Sequence, residues 1–334
     1  STASILRFSL EKKSFEYIIG SGSLKEANAE VKDSDLSILS PDKKKLAWVD
    51  GYNIWIKDIS TNDTVQITKD GSKFLAYGVG PKWNSIRNIE SDDDYDLELD
   101  ISWSPDSRYF IAGKYDRRNA RNLYLYKTLA DDGNRAEVYK YERPLAGDSL
   151  VPTLGYILID TDVISKKDLD LKFQPTFLNY GFSWIKDNAY QLRYRRGYQS
   201  LEIVEIDASK GETRIVFEES TSTFLEQGYS QLKLLKKSKE ILWLSEADGW
   251  NHIYRINRKN GNIIKQVTRG DFFVKKIIHV DESSSKVYFT AGGRESNIDP
   301  YYLLLYVVNY DGSGLKLLSP EKATHNISIS TDKK

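Results

Sequence analysis

The chain has 334 residues, room for one large β domain or two smaller ones, and its 48 basic and 48 acidic residues cancel to no net charge. That balance provides no basic field to hold a phosphate backbone, which argues against nucleic acid as a partner. No apolar run reaches the roughly 18 uncharged residues of a membrane-spanning helix, and the absence of cysteine removes disulfides, thiolate metal ligands and a cysteine nucleophile.

The opening STASILRFSLEKKS lacks the basic start and apolar stretch of a signal peptide. Methionine is missing even at position 1, which suggests a trimmed or edited chain. Residues 1–35 are expected to form an N-terminal segment with first strands, GSGSLKEANAEVKD (20–33) being compatible with a short helix. From residue 36 one pattern recurs in chain order: LSILSPDKKKLAWV (36–49), ISWSPDSRYFIAG (101–113), FSWIKDNAYQLRY (182–194), LKLLKKSKEILWL (232–244), IIHVDESSSKVYF (277–289) and ISISTDKK (327–334). Each is a short apolar run, a polar turn and an alternating run, the signature of a β-hairpin. A second pattern follows most copies, in NIWIKDISTNDTVQIT, SLEIVEIDASKGETRIVF, NHIYRINRKNGNIIKQVT and YLLLYVVNYDGSGLKLL, so each unit predicts four strands. A weaker unit is read at TLGYILIDTDVISKKDLDLKF.

Turn landmarks Asp187, Lys237, Asp281 and Asp332 are spaced by 50, 44 and 51 residues. That period with four strands per repeat predicts an all-β β-propeller over residues 36–334, with seven to eight four-stranded blades. The final ISIS run is expected to open a last, incomplete blade, with more chain following it.

Several residue groups could carry chemistry. The acidic run Asp92, Asp93, Asp94, Asp96, Glu98 and Asp100 has oxygen ligands for calcium but not the glycine and spacing of a calcium loop, so a solvated loop is favoured. Arg117, Arg118 and Arg121 follow Asp116 between two strands, where guanidinium forks suit a substrate carboxylate or carbonyl, or clamp a neighbouring blade. RYRRG (193–197) is read as a hairpin facing another domain. In SEADGWNHIYRI (245–256), Asp248, Gly249, Trp250 and His252 are read as a blade corner. There a buried Trp250 would contribute about 1.5–3 kcal/mol, with Asp248 or a backbone carbonyl as an acceptor for its indole. His252, His279 and His325 lack a ligand pattern, so no metal or cofactor is expected.

SEADGWNHIYRINRKNGNIIKQVTRGDF, the following KVYFTAGGRESNIDPYYLLLYVVNYDGSGLKLLSPEKATHNISIS, and the upstream YDRRNARNLYLY and EVYKYERPLAGD resemble the N-terminal β-propeller domain of dipeptidyl peptidase IV-like serine peptidases. These belong to the prolyl oligopeptidase family, and the likeness is to its Bacteroidetes-type members. The resemblance implies a propeller that gates peptide access and helps read the substrate's amino end. It also implies a C-terminal α/β-hydrolase domain in the same natural chain, a peptide substrate, and a periplasmic or cell-surface location; it leaves a homodimer open. No G-x-S-x-G nucleophile elbow occurs within these residues, so the hydrolase domain is expected to be absent from this stretch, which would be non-catalytic alone. The family's paired-glutamate motif, suited to a peptide ammonium, has its nearest match in DDDYDLELD (92–100), where Glu98 would serve alone. A stand-alone propeller binding a protein or glycan is the alternative, and a glycosidase-type propeller with paired carboxylates ranks last.

Overall fold

A computed structural model describes residues 5–10, 13–19, 21–26, 36–81, 97–129, 133, 135–142, 144–171, 181–328 and 330. Every regular element among them is a β-strand, and every pairing is antiparallel. The chain folds as a β-propeller.

Five meanders follow one another along the chain. Blade I consists of Ser37–Leu39, Lys45–Asp50, Asn53–Asp58 and Thr64–Gln66. Blade II contains Ile101–Trp103, Tyr109–Asp116, Thr153–Asp160 and Ser165–Asp168, with Leu75–Tyr77 as an extra strand. Blade III is Ser183–Ile185, Asn188–Tyr194, Ser200–Asp207 and Glu212–Ser220. Blade IV is Leu232–Leu234, Glu240–Ser245, His252–Asn257 and Ile263–Gln266. Blade V is Phe273–Asp281, Lys286–Gly292, Leu304–Asn309 and Lys316–Leu317. A three-stranded sheet, Ile5–Leu10, Lys13–Ile18 and Ser23–Glu26, precedes them.

The Ser-Pro-Asp turns form as their chemistry requires. In blade I the Ser40 hydroxyl donates to Asp42 Oδ1 at 2.6 Å and accepts from Lys45 N at 2.9 Å, while Lys43 takes φ 63°. Ser104, Asp106, Tyr109 and Ser107 repeat this arrangement in blade II. Ser107 Oγ also accepts from Asp42 N at 3.0 Å, which ties the two turns together.

The core lies between blades rather than within one sheet. One cluster joins Ala47 and Ile54 of blade I to Phe110 and Ile157 of blade II. A second joins Ile111 and Tyr156 to Ala189 and Ile206 of blade III, a third joins Leu192 and Ile203 to Ile241 and Trp243 of blade IV, and a fourth joins Leu244 and Ile253 to Phe289 and Tyr306 of blade V. Middle strands such as Asn188–Tyr194 are therefore buried on both faces, and their period-two signal is weak.

Two expectations change, those for TLGYILID and for residues 23–26. TLGYILID and the residues after it are the third and fourth strands of blade II, not a separate unit; an insertion of residues 117–152 displaces them along the chain. The described residues form five meanders and the three-stranded sheet, and the count of seven to eight blades is not confirmed. Within 20–33, Ser23–Glu26 is a strand held by Lys13–Ile18 rather than helix; residues 27–33 lie outside the described residues. Ile327, Ser328 and Ser330 of the ISIS run join no ladder among the described residues.

Candidate functional site

In each meander, the turns joining strands one to two and three to four lie at one end. The two-to-three connections, and those leading into the next blade, lie at the other. That second end carries the chain's unusual loops.

In blade II the inner strand is split. Leu75–Tyr77 pairs with Lys114–Asp116, and Ile101–Trp103 pairs with Phe110–Ala112. Between them the chain leaves as Val79–Pro81 and returns as Leu97–Leu99, a short antiparallel ladder. Gly78 N donates to Gly113 O at 2.7 Å and Gly113 N to Asp100 O at 2.8 Å, closing the gap at the root. A Cβ on Gly113 would stand 2.5 Å from Asp100 Oδ2 and 2.9 Å from Val79 O, so this crossing demands glycine. Glu98 rides on the returning strand opposite Gly80 and is exposed. Asp92, Asp93, Asp94 and Asp96 lie outside the described residues; Asp100 is buried at the root.

The second strand of the same blade runs straight into the arginine loop. Asp116 accepts from Arg118 Nε at 3.0 Å and Nη2 at 2.6 Å, and this hydrogen bonding holds its carboxyl below the usual carboxylate range. Arg118 and Arg121 are exposed. Arg117 is not: it is 4% exposed, its Nη1 stands 3.3 Å from Glu142 Oε2 and its Nη2 donates to the Lys73 carbonyl. The structure thus divides the three arginines into two that face solvent and one that clamps. In RYRRG, Arg193 is buried 3.9 Å from Glu202, and Arg196, itself exposed, donates to the carbonyls of Leu145 and Asp148.

The blade IV corner differs from its expected form. Trp250 is 41% exposed, and Asp248 Oδ1 accepts from the Trp250 backbone N at 3.2 Å rather than from its indole. The buried group is His252, at 0% exposure. Its Nε2 lies 3.1 Å from Gly270 O and its Nδ1 3.0 Å from Thr268 Oγ1, and Phe272 meets the ring edge-on at 5.0 Å. Because a carbonyl only accepts, Nε2 carries the proton and Nδ1 accepts from Thr268. Asp248 Oδ2 stands 3.9 Å from Nε2, and its other bonds go to the loop and to Gln266.

Blade I builds the same corner with asparagine. Thr68 Oγ1 accepts from Ile54 N at 3.0 Å and donates to Asn53 Oδ1 at 3.0 Å, just as Thr268 serves Ile253 and His252. Both corners receive the next blade: Tyr77 N donates to Tyr52 O at 3.0 Å and Val274 N to Asn251 O at 2.8 Å. In sequence both corners read Asp-Gly-aromatic-Asn and Gln-Ile/Val-Thr, but blade IV has one residue more before its isoleucine, so His252 rather than Asn251 takes the place of Asn53. Among the described residues no group of three His, Cys, Asp or Glu side chains gathers as metal ligands.

Burial holds the His252 ring neutral by pushing its pKa below the ordinary 6.5. The unfolded chain then takes up this proton first as pH falls below about 6.5, so the stability contributed by neutral His252 is present above that value and lost beneath it. His252→Asn, copying blade I, is expected to flatten the fall in urea midpoint between pH 7.5 and 5.5 relative to the parent. Equal slopes would contradict this account of the corner.

Comparisons with known proteins agree with the fold. The family described as "Dipeptidyl peptidase IV (DPP IV) N-terminal region" matches residues 1–334. The probable dipeptidyl peptidase 4 of Emericella nidulans is 24% identical over 285 residues, covering 80% of this chain and 35% of its own length. Dipeptidyl peptidase 4 of Trichophyton tonsurans is 23% identical over 283 residues, covering 81% and 35%. The chain therefore spans about a third of the length of these relatives. The crystal structure of Porphyromonas gingivalis dipeptidyl peptidase 4 superposes with TM-score 0.67 at 19% identity, over 94% of this chain and 44% of that one. That of a putative dipeptidyl aminopeptidase IV from Bacteroides ovatus gives 0.64 at 15%, with the same coverage.

Proposed function

The chain belongs to the dipeptidyl peptidase IV N-terminal-region family, and from that premise we propose that it is the non-catalytic propeller of a serine dipeptidyl peptidase, gating peptide entry and holding the substrate's amino end. Glu98 carries the proposal: it is an exposed carboxylate on a ladder rooted in the inner strand of blade II, beside the strand that leads to Arg118 and Arg121. A carboxylate takes a peptide ammonium by charge-assisted hydrogen bonds, and guanidinium forks take the peptide's carbonyl oxygens. Hydrolysis belongs, in this reading, to a C-terminal α/β-hydrolase domain of the same natural chain, in the periplasm or at the cell surface. The share of the relatives' length left uncovered is in keeping with such a domain. A homodimer finds support in the hairpin Asn122–Lys127/Glu137–Glu142, where Tyr126 is 71% exposed and Tyr124 and Val138 are also exposed, apolar surface that a second copy would cover.

The test is Glu98→Gln in the full-length protein. Losing one charged partner of the ammonium costs about 1.5–3 kcal/mol, so KM for a dipeptide chromogenic substrate is expected to rise at least about tenfold with kcat little changed. An unaltered KM would remove Glu98 from the site.

A further inference from the structure

The insertion of residues 117–152 is gripped at both ends by arginines from different places. At its start, Arg117 pairs with Glu142 on the hairpin's return strand at 3.3 Å, and its Nη2 donates to the Lys73 carbonyl in the connection from blade I. Its backbone N donates to Phe74 O at 2.8 Å, and its guanidinium lies 5.7 Å from the ring centroids of both Phe74 and Tyr115. At the insertion's end, Arg196 from the blade III loop donates to the carbonyls of Leu145 and Asp148. That loop is tight: Tyr198 N donates to Arg195 O at 2.9 Å, and Gly197 takes φ 96°. Arg196 is thereby presented from a short, fixed turn.

We propose that Arg117 and Arg196 are a pair of positioning residues that fasten the insertion to blades I and III, and so set where Arg118 and Arg121 stand. Arginine suits both places because its planar fork serves two acceptors at once, Glu142 and the Lys73 carbonyl for Arg117 and two carbonyls of one turn for Arg196, whereas a lysine ammonium is a point charge. Arg118 and Arg121 fall in the few residues between Arg117 and the hairpin's first strand, Asn122–Lys127, so the clamped Arg117 and the hairpin bound their place, with Asp116 also holding the Arg118 guanidinium. The role of those two side chains toward peptide rests on the function proposed above; the fastening itself does not.

Hydrogen exchange on the full-length, substrate-free protein separates the two. In Arg117→Lys and in Arg196→Lys, amides of Asn122–Lys127 and Glu137–Glu142 are expected to exchange at least tenfold faster, with blades IV and V unchanged and KM for the dipeptide substrate raised. Exchange within twofold of the parent in both variants overturns the proposal, whatever happens to KM. Faster exchange with an unchanged KM upholds the fastening and instead rejects Arg118 and Arg121 as peptide contacts. Should Arg117→Lys not fold, Glu142→Gln removes the same ion pair more gently, and unchanged exchange there counts against the Arg117 half.

Discussion

Trp243→Ala is expected to lower unfolding stability by about 3–5 kcal/mol, the range for emptying a buried large aromatic. Trp243 is 1% exposed on the second strand of blade IV, packed with Tyr190, Leu192 and Ile203 of blade III in the cluster that joins the two sheets. Its loss removes apolar contact from both blades, so the cavity opens at a seam where neither sheet can close it alone. The indole Nε1 also donates to Glu219 Oε2 at 2.7 Å, and Ser245 Oγ donates to Oε1 of the same carboxylate at 2.7 Å. Burial already pushes the Glu219 carboxyl up, against these two donors. Trp243→Phe retains most of the packing while deleting one donor, and should cost about 1–3 kcal/mol. Urea unfolding of the two variants checks both figures; a loss below 1 kcal/mol for Trp243→Ala would show that the seam between blades III and IV does not carry the core.

The parts of this molecule that local chemistry dictates were legible in the sequence. Ser-Pro-Asp turns, alternating strands and Asn-Gly or Asp-Gly bends each act within a few residues, and ISWSPDSRYFIAG became the hairpin of Ile101–Trp103 and Tyr109–Asp116. What long-range geometry decides was not. TLGYILID reads as a strand like any other, and nothing within it says that it returns to Tyr109–Asp116 across an insertion. Trp250 and His252 stand two apart in one short run, yet the smaller ring is enclosed by Thr268, Gly270 and Phe272, all supplied from beyond the next strand. Arg117 and Arg118 are chemically identical neighbours; only the fold turns one toward Lys73 and Glu142 and the other toward solvent. Arg196 shows the same limit, since its acceptors are backbone carbonyls, which leave no mark in a sequence.

The site reading makes a larger demand, because recognition of a free amino end must fail when that end carries no charge. An N-acetyl cap removes the ammonium and leaves an exposed carboxylate such as Glu98 facing an uncharged amide, which loses the charge-assisted bond and adds bulk where the chain should end. The most direct test is therefore cleavage by the full-length protein of one Xaa-Pro chromogenic dipeptide, offered with a free and with an N-acetylated amino end. The account predicts release from the free substrate and a fall in kcat/KM of at least about a hundredfold on acetylation, in line with the loss of about 3 kcal/mol or more of binding to the amino end. Equal cleavage of both, or none of either, would contradict it.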